Sequence, residues 1–202
     1  ADVTGLDDDS LSMDVLLTNC RSLNRNGHKL KSYIVDKNMD IVAVTETWLT
    51  DNEIQSNHII KSTCPTGYHM SHKPRTNGQI GGGVGLMYKS SLKFKHLSSN
   101  SFTSFESSVS LLKWKSTWLR VVVIYRPTPS SENQHTDREF LDEFSLYLEV
   151  LILCKEVLVI LGDFNFHVDM SNDYYASEFK KLIACFCLKQ HVQEPTHISG
   201  QR

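Results

Sequence analysis

Val157-Leu158-Val159-Ile160-Leu161-Gly162-Asp163-Phe164-Asn165 is an apolar run that ends in a carboxylate and an amide. Five consecutive apolar residues, several of them β-branched, suit a strand buried on both faces. Side chains of an extended chain alternate, so Asp163 and Asn165 are expected to share one face, with Phe164 on the other. At the mouth of a sheet such a pair suits a phosphate and a metal-bound water. The carboxylate can take a proton or hold a cation, and the amide can donate to an oxyanion. The same residues also compose a plain strand-ending turn, because Gly, Asp and Asn favour turns for local reasons. This stretch alone leaves both readings open.

Other apolar runs end in comparable groups. Met13 to Thr18 leads to Asn19, Ile41 to Val44 leads through Thr45 to Glu46, and Trp118 to Ile124 leads to Tyr125 before Arg126-Pro127 stops the strand. Between them the spacing of Leu30, Tyr33, Ile34 and Lys37 predicts a helix that starts near Asn26-Gly27. Thr50 with Glu53, and Thr136 with Glu139, have the spacing of capping boxes. The second opens a long helix that presents Phe140, Phe144, Leu148 and Leu151 on one side, and Tyr174 to Phe186 reads as an amphipathic helix. Leu92 to Leu97 and Phe105 to Trp114 are further strands, and residues 61–83 read as a surface loop. Gly81-Gly82-Gly83 reads as a bend at a strand start and not as a phosphate cradle, since no Gly-Lys-Ser/Thr follows. Strands outnumber helices and mix alternating with fully apolar patterns, which favours a layered α/β sandwich over an all-β barrel.

The 202 residues suffice for one domain with a sizeable core at 40% apolar content, and a net charge of −2 argues against an unselective nucleic-acid coat. Basic clusters such as Lys61, Lys73 and Arg75 read as solvated surface by default. Five cysteines without a Cys-x-x-Cys pair, and an acidic start that lacks a signal peptide's apolar core, point to reduced thiols in an intracellular protein without a membrane anchor. Residues 1–12 are expected to form a disordered leader ahead of a single domain over residues 13–202.

Five segments, in order, carry a resemblance: Leu16-Leu17-Thr18-Asn19-Cys20-Arg21-Ser22-Leu23, Asp40-Ile41-Val42-Ala43-Val44-Thr45-Glu46-Thr47-Trp48-Leu49, Gly81-Gly82-Gly83-Val84-Gly85, Val123-Ile124-Tyr125-Arg126-Pro127 and Leu161-Gly162-Asp163-Phe164-Asn165. Together they resemble the endonuclease/exonuclease/phosphatase superfamily, and more closely the endonuclease domain of non-LTR (LINE-type) retrotransposons. The resemblance implies a four-layer α/β sandwich and a divalent-metal phosphodiesterase that cuts DNA, with Mg²⁺ as cofactor or Mn²⁺ in its place, and a nuclear or cytoplasmic setting. It implies Glu46 as the principal metal ligand with Asn19 beside it. Asp163 would orient or deprotonate the attacking water, Asn165 would donate to the phosphate, and Tyr125 would hydrogen-bond a phosphate oxygen. Arg21, Arg126 and Thr196 are candidate substrate contacts, although a structural role suits the two arginines equally.

Members of that family finish with an aspartate on a later strand and a Ser-Asp-His. None of the nine histidines here follows an aspartate, and His197 stands in the wrong context to replace the missing one. The expectation is a domain that lacks its last strands, catalyses poorly and exposes a sheet edge able to pair with another chain. The competing reading is a non-catalytic nucleic-acid- or protein-binding module derived from such a domain. A third keeps the chemistry but changes the substrate to a phospholipid, an inositol phosphate or poly(A).

Overall fold

The computed structural model describes residues 12–75, 81–98, 100–130, 133–168 and 172–192. The expected leader lies outside that range but for Ser12, and Thr196 and His197 lie outside it entirely. Along the described chain come β1 (Val15–Asn19), α1 (Leu23–Lys37), β2 (Ile41–Thr45), α2 (Glu53–Thr63), β3 (Tyr68–Lys73) and β4 (Val84–Lys89). There follow β5 (Lys93–Leu97), β6 (Glu106–Trp114), β7 (Thr117–Tyr125), α3 (Asp137–Leu151), β8 (Val157–Asp163) and α4 (Tyr174–Cys185). The strands form two four-stranded sheets, ordered β1-β2-β4-β3 and β5-β6-β7-β8. Both are mixed, because β1 runs parallel to β2 and β8 parallel to β7 while the other pairings are antiparallel.

Alternation in the central strands builds the layers. Ile41 and Ala43 of β2, Val84 and Leu86 of β4, and Val121 and Val123 of β7 fill the core between the sheets. Val42 and Val44, one position out of phase, pack instead on Leu23, Ile34 and Ile59 of α1 and α2. Val122 and Ile124 likewise turn outward onto Phe140, Phe144 and Leu148 of α3 and Phe179 of α4. Helix, sheet, sheet, helix is the four-layer sandwich expected, and it explains why β2 and β7 carry uninterrupted apolar runs: both faces are buried. Each fully buried side chain of this kind contributes about 1.5–3 kcal/mol.

The α3 capping box forms as expected, with Thr136 and Glu139 bonding each other's backbone N–H. That at Thr50 does not. Asn52 caps α2, its side chain accepting from the Gln55 N–H at 3.1 Å, while the Thr50 hydroxyl accepts from the Asn52 N–H at 3.3 Å. Helix α1 starts at Leu23, ahead of Asn26-Gly27, because the Asn26 amide bonds the carbonyls of Cys20 and Arg21 from inside the first turn. Gly27 serves close packing, since a Cβ there would overlap Thr63 of α2. The expected loop over 61–83 contains the end of α2 and all of β3, whose polar, partly exposed sequence hides an edge strand.

Candidate active site

Strand parity delivers the site. Asn19 lies in phase with Leu17 on β1, Tyr125 with Val121 and Val123 on β7, and Asp163 with Leu161 on β8, so all three project into the space between the sheets at one end of the sandwich. By the same parity Glu46 would turn toward α1 and α2. Its left-handed backbone, φ 51°, returns the side chain to the inter-sheet mouth. There the Asn19 amide donates to Glu46 Oε1 at 2.7 Å and to Asp163 Oδ2 at 2.8 Å. The Tyr125 hydroxyl donates to the same Glu46 oxygen at 3.1 Å. Four residues that are up to 144 positions apart in sequence thus form one hydrogen-bonded cluster.

The surrounding backbone is unusual. Arg21, Ser22, Glu46, Trp48 and Asn165 all have positive φ, a conformation that costs non-glycine residues roughly 1–3 kcal/mol and gathers at functional sites. Pairing holds it in place: Ser22 N–H bonds the Glu46 carbonyl, Trp48 N–H the Gly82 carbonyl and Arg126 N–H the Asp163 carbonyl, each at 2.9 Å.

Burial, and then the charge and hydrogen bond of Glu46, push the Tyr125 hydroxyl well above its ordinary range, so it stays a neutral donor. Burial and the Glu46 charge also raise the neighbouring Cys20 thiol to about 11. Neither Glu46 nor Asp163 forms an ion pair with a Lys, Arg or His among the described residues. Two carboxylates bridged by an amide, with no cation between them, offer hard oxygen donors of the kind Mg²⁺ accepts beside its own waters. Among the described residues no group of three or more Asp, Glu, His or Cys could hold a metal, so most of the ion's shell would be water or substrate.

The other sequence candidates fall elsewhere. Asn165 does not follow the alternation. Its φ of 50° turns the side-chain amide onto the Arg126 carbonyl at 2.6 Å, which leaves one N–H of that amide for a ligand. Arg126 is buried, 1% exposed, and bonds protein groups beneath the site. Arg21 is exposed beside Asn19 and lines a surface cavity of about 430 Å³ with Lys29, Asn26 and Tyr33.

Sequence reasoning missed two residues. Arg75, read as surface, pairs with Glu106 of β6, their side chains only 13% and 19% exposed. The other Glu106 oxygen accepts from Gly83 N–H at 2.5 Å, and the Arg75 guanidinium lies 5.8 Å from the Tyr125 ring centre. Gly82 makes room for this pair, since a Cβ there would overlap both side chains. The triple glycine was the available signal: Gly81, Gly82 and Gly83 all take positive φ at this crossing between the sheets.

The profile of the Endonuclease/Exonuclease/phosphatase family matches residues 16–193. The chain belongs to this family. No curated protein sequence matches it significantly. Among solved structures of the endonuclease/exonuclease/phosphatase fold, the AP endonuclease LMAP from Leishmania major aligns at 14% identity and a TM-score of 0.66, over 88% of this chain and 67% of its own. The endonuclease domain of TRAS1, a telomere-specific non-LTR retrotransposon, aligns at 10% identity and 0.60, over 90% and 75%. A mannosyl-6-phosphatase from Bacteroides thetaiotaomicron aligns at 14% and 0.56, over 84% and 71%. At these identities the likeness is one of fold, and the relatives' names span nucleic-acid and sugar-phosphate chemistry.

Proposed function

We propose that this domain is a Mg²⁺-dependent phosphodiesterase of the retrotransposon endonuclease type that nicks DNA. The observation that carries the reading is the Asn19–Glu46–Asp163–Tyr125 cluster, two carboxylates that have no cationic partner among the described residues, at the open mouth of the sandwich. A bound Mg²⁺, or Mn²⁺ in its place, would polarise the phosphate and offset charge on it. Glu46 and Asn19 would hold the ion, Asp163 would orient or deprotonate the attacking water, and Tyr125 would donate to a phosphate oxygen. The free N–H of Asn165 donates to the developing charge, and Arg21, exposed beside Asn19, meets a neighbouring phosphate. Thr196, by resemblance, is a further candidate contact to the phosphate. The setting of such a nuclease is the nucleus.

Within these 202 residues no histidine follows an aspartate, so they do not supply the Asp-His pair that the resemblance implies for the scissile phosphate. Such a pair is worth about 10²–10⁴-fold in rate. Nicking by this chain is therefore slow. Incubation with supercoiled plasmid is expected to yield relaxed circles in Mg²⁺, but none in EDTA or with Glu46→Ala. Equal nicking by the Glu46→Ala protein would remove the reading.

A non-catalytic module is the second reading, and one observation favours it. Among the described residues β1 and β8 are the outer strands of their sheets and pack against each other, so two backbone edges that no described strand pairs with lie on the same side of the sandwich. Such an edge takes an added strand from another chain or segment. Absence of any metal-dependent cleavage, together with retained DNA or protein binding, would favour it.

A further inference from the structure

Arg126 is the largest fully buried side chain in the described protein, and the reaction above gives it nothing to do. A buried guanidinium is costly unless each N–H is engaged, and here the engagement converges on one loop. Its Nη1 donates to the carbonyls of Phe164 at 2.9 Å and Asn165 at 3.3 Å. Its backbone N–H donates to the Asp163 carbonyl at 2.9 Å, and its backbone carbonyl accepts the Asn165 side-chain amide at 2.6 Å. All three residues after Gly162 are therefore bonded to this one arginine. The guanidinium also lies 4.1 Å from the ring centre of Phe166 and 5.1 Å from that of Phe140, and Nη2 is paired with Asp137 in the first turn of α3.

We propose that Arg126 is the positioning residue of the site, a cationic strut that sets the Asp163–Asn165 turn against the first turn of α3. It acts through Asp163 and Asn165 and never meets the substrate. This role rests on the hydrolytic reading of those two residues. The need for a strut follows from the backbone. β8 ends at Asp163, and Asn165 then takes a left-handed conformation, so beyond the strand the sheet ladder no longer fixes the direction in which the Asn165 side chain points or the turn that follows Asp163. Phe164 anchors the turn from the other side, 4.8 Å from Phe179 and 5.6 Å from Phe144 between ring centres, and Gly162 leaves space for its ring. The aromatic anchor resists lifting of the turn. The fork of the arginine fixes its rotation, because two donors on a rigid plane define an orientation that one ammonium cannot.

The test compares wild type, Arg126→Lys and Asp137→Asn by amide hydrogen exchange, with a urea titration for global stability. Loss of one or two charge-assisted hydrogen bonds is expected to speed exchange in residues 163–168 about tenfold in Arg126→Lys. Exchange in β2 and β7 should stay as in wild type. Asp137→Asn, which keeps an acceptor oxygen but removes the charge that holds the guanidinium to α3, should loosen the same segment, though it lies on another element. Unchanged exchange at 163–168, or loosening spread evenly over the protein, overturns the proposal. If Arg126→Lys does not fold, Asp137→Asn decides, and loosening confined to the first turn of α3 overturns it. In the plasmid assay Arg126→Lys should lower kcat about tenfold with KM unchanged, since the turn and not substrate contact is disturbed. If wild type nicks nothing, the hydrolytic reading fails, and the exchange data still show whether the arginine sets the turn.

Discussion

The Arg75–Glu106 pair joins the glycine bend before β4 to β6 of the opposite sheet, and its energy can be isolated. Removing one partner of a fully buried pair costs about 3–5 kcal/mol, whereas an exposed pair contributes about 0–1 kcal/mol. With side chains 13% and 19% exposed, this pair lies between those limits, and a coupling of about 2 kcal/mol follows. Glu106→Gln keeps an oxygen for the Gly83 N–H and removes the charge, and Arg75→Met keeps much of the stem volume. Urea unfolding of wild type, both single variants and the double variant forms a cycle that yields the interaction alone. Each single variant should lose about 2 kcal/mol, or about 4–8 °C in Tm for a domain of this size, and the double variant little more than either. The cycle requires one shared m-value. A coupling below about 0.5 kcal/mol would refute the assignment of this pair as the clamp between the sheets and return Arg75 to the solvated surface.

Three further outcomes follow from the geometry. Phe144→Ala empties the centre of the α3–α4 layer, where Phe140 and Phe179 stack on it, and should cost about 3–5 kcal/mol in urea unfolding; a loss below about 1 kcal/mol would mean that this layer is not close-packed. Burial pushes the Glu143 carboxyl up, but hydrogen bonds from Ser104 and Thr103 outweigh it and hold the carboxyl below its usual value. Its contribution is therefore present above the unfolded value of about 4.3 and lost as pH falls through the folded one, so the stability gap between wild type and Glu143→Gln should be flat from pH 7 to about 5 and close in stronger acid; a gap that persists there contradicts the assignment. Thiol labelling of the native protein, followed by mass, should modify exposed Cys185 and Cys187 first and buried Cys20 last, and early labelling of Cys20 would contradict the packing of β1 on α1.

Periodicity made most of the elements legible: β2 and β7 as apolar runs, α3 from its capping box and its Phe140-Phe144-Leu148-Leu151 stripe. Where local pattern and tertiary contact disagreed, contact won. Asn26-Gly27 looks like a helix start, yet Gly27 is inside α1 because Thr63 presses on it. β3 went unread because an edge strand needs only one apolar face, and its His69, Ser71 and Lys73 resemble a loop.

By itself the sequence determined the residue types at each strand end and, through the two-residue period, that Asn19, Tyr125 and Asp163 would each have to choose a face. Alternation could not say that the three faces are the same one; only the family resemblance implied it. That was decided by the packing of β1, β2, β7 and β8 across a shared core, by the left-handed turn that brings Glu46 back to it, and by the burial that made Arg126 and Arg75 internal. Alternation is a local property of each strand, fixed by its own backbone. Which strand ends meet depends on how two sheets bury their apolar sides against each other, a sum over residues distant in the chain.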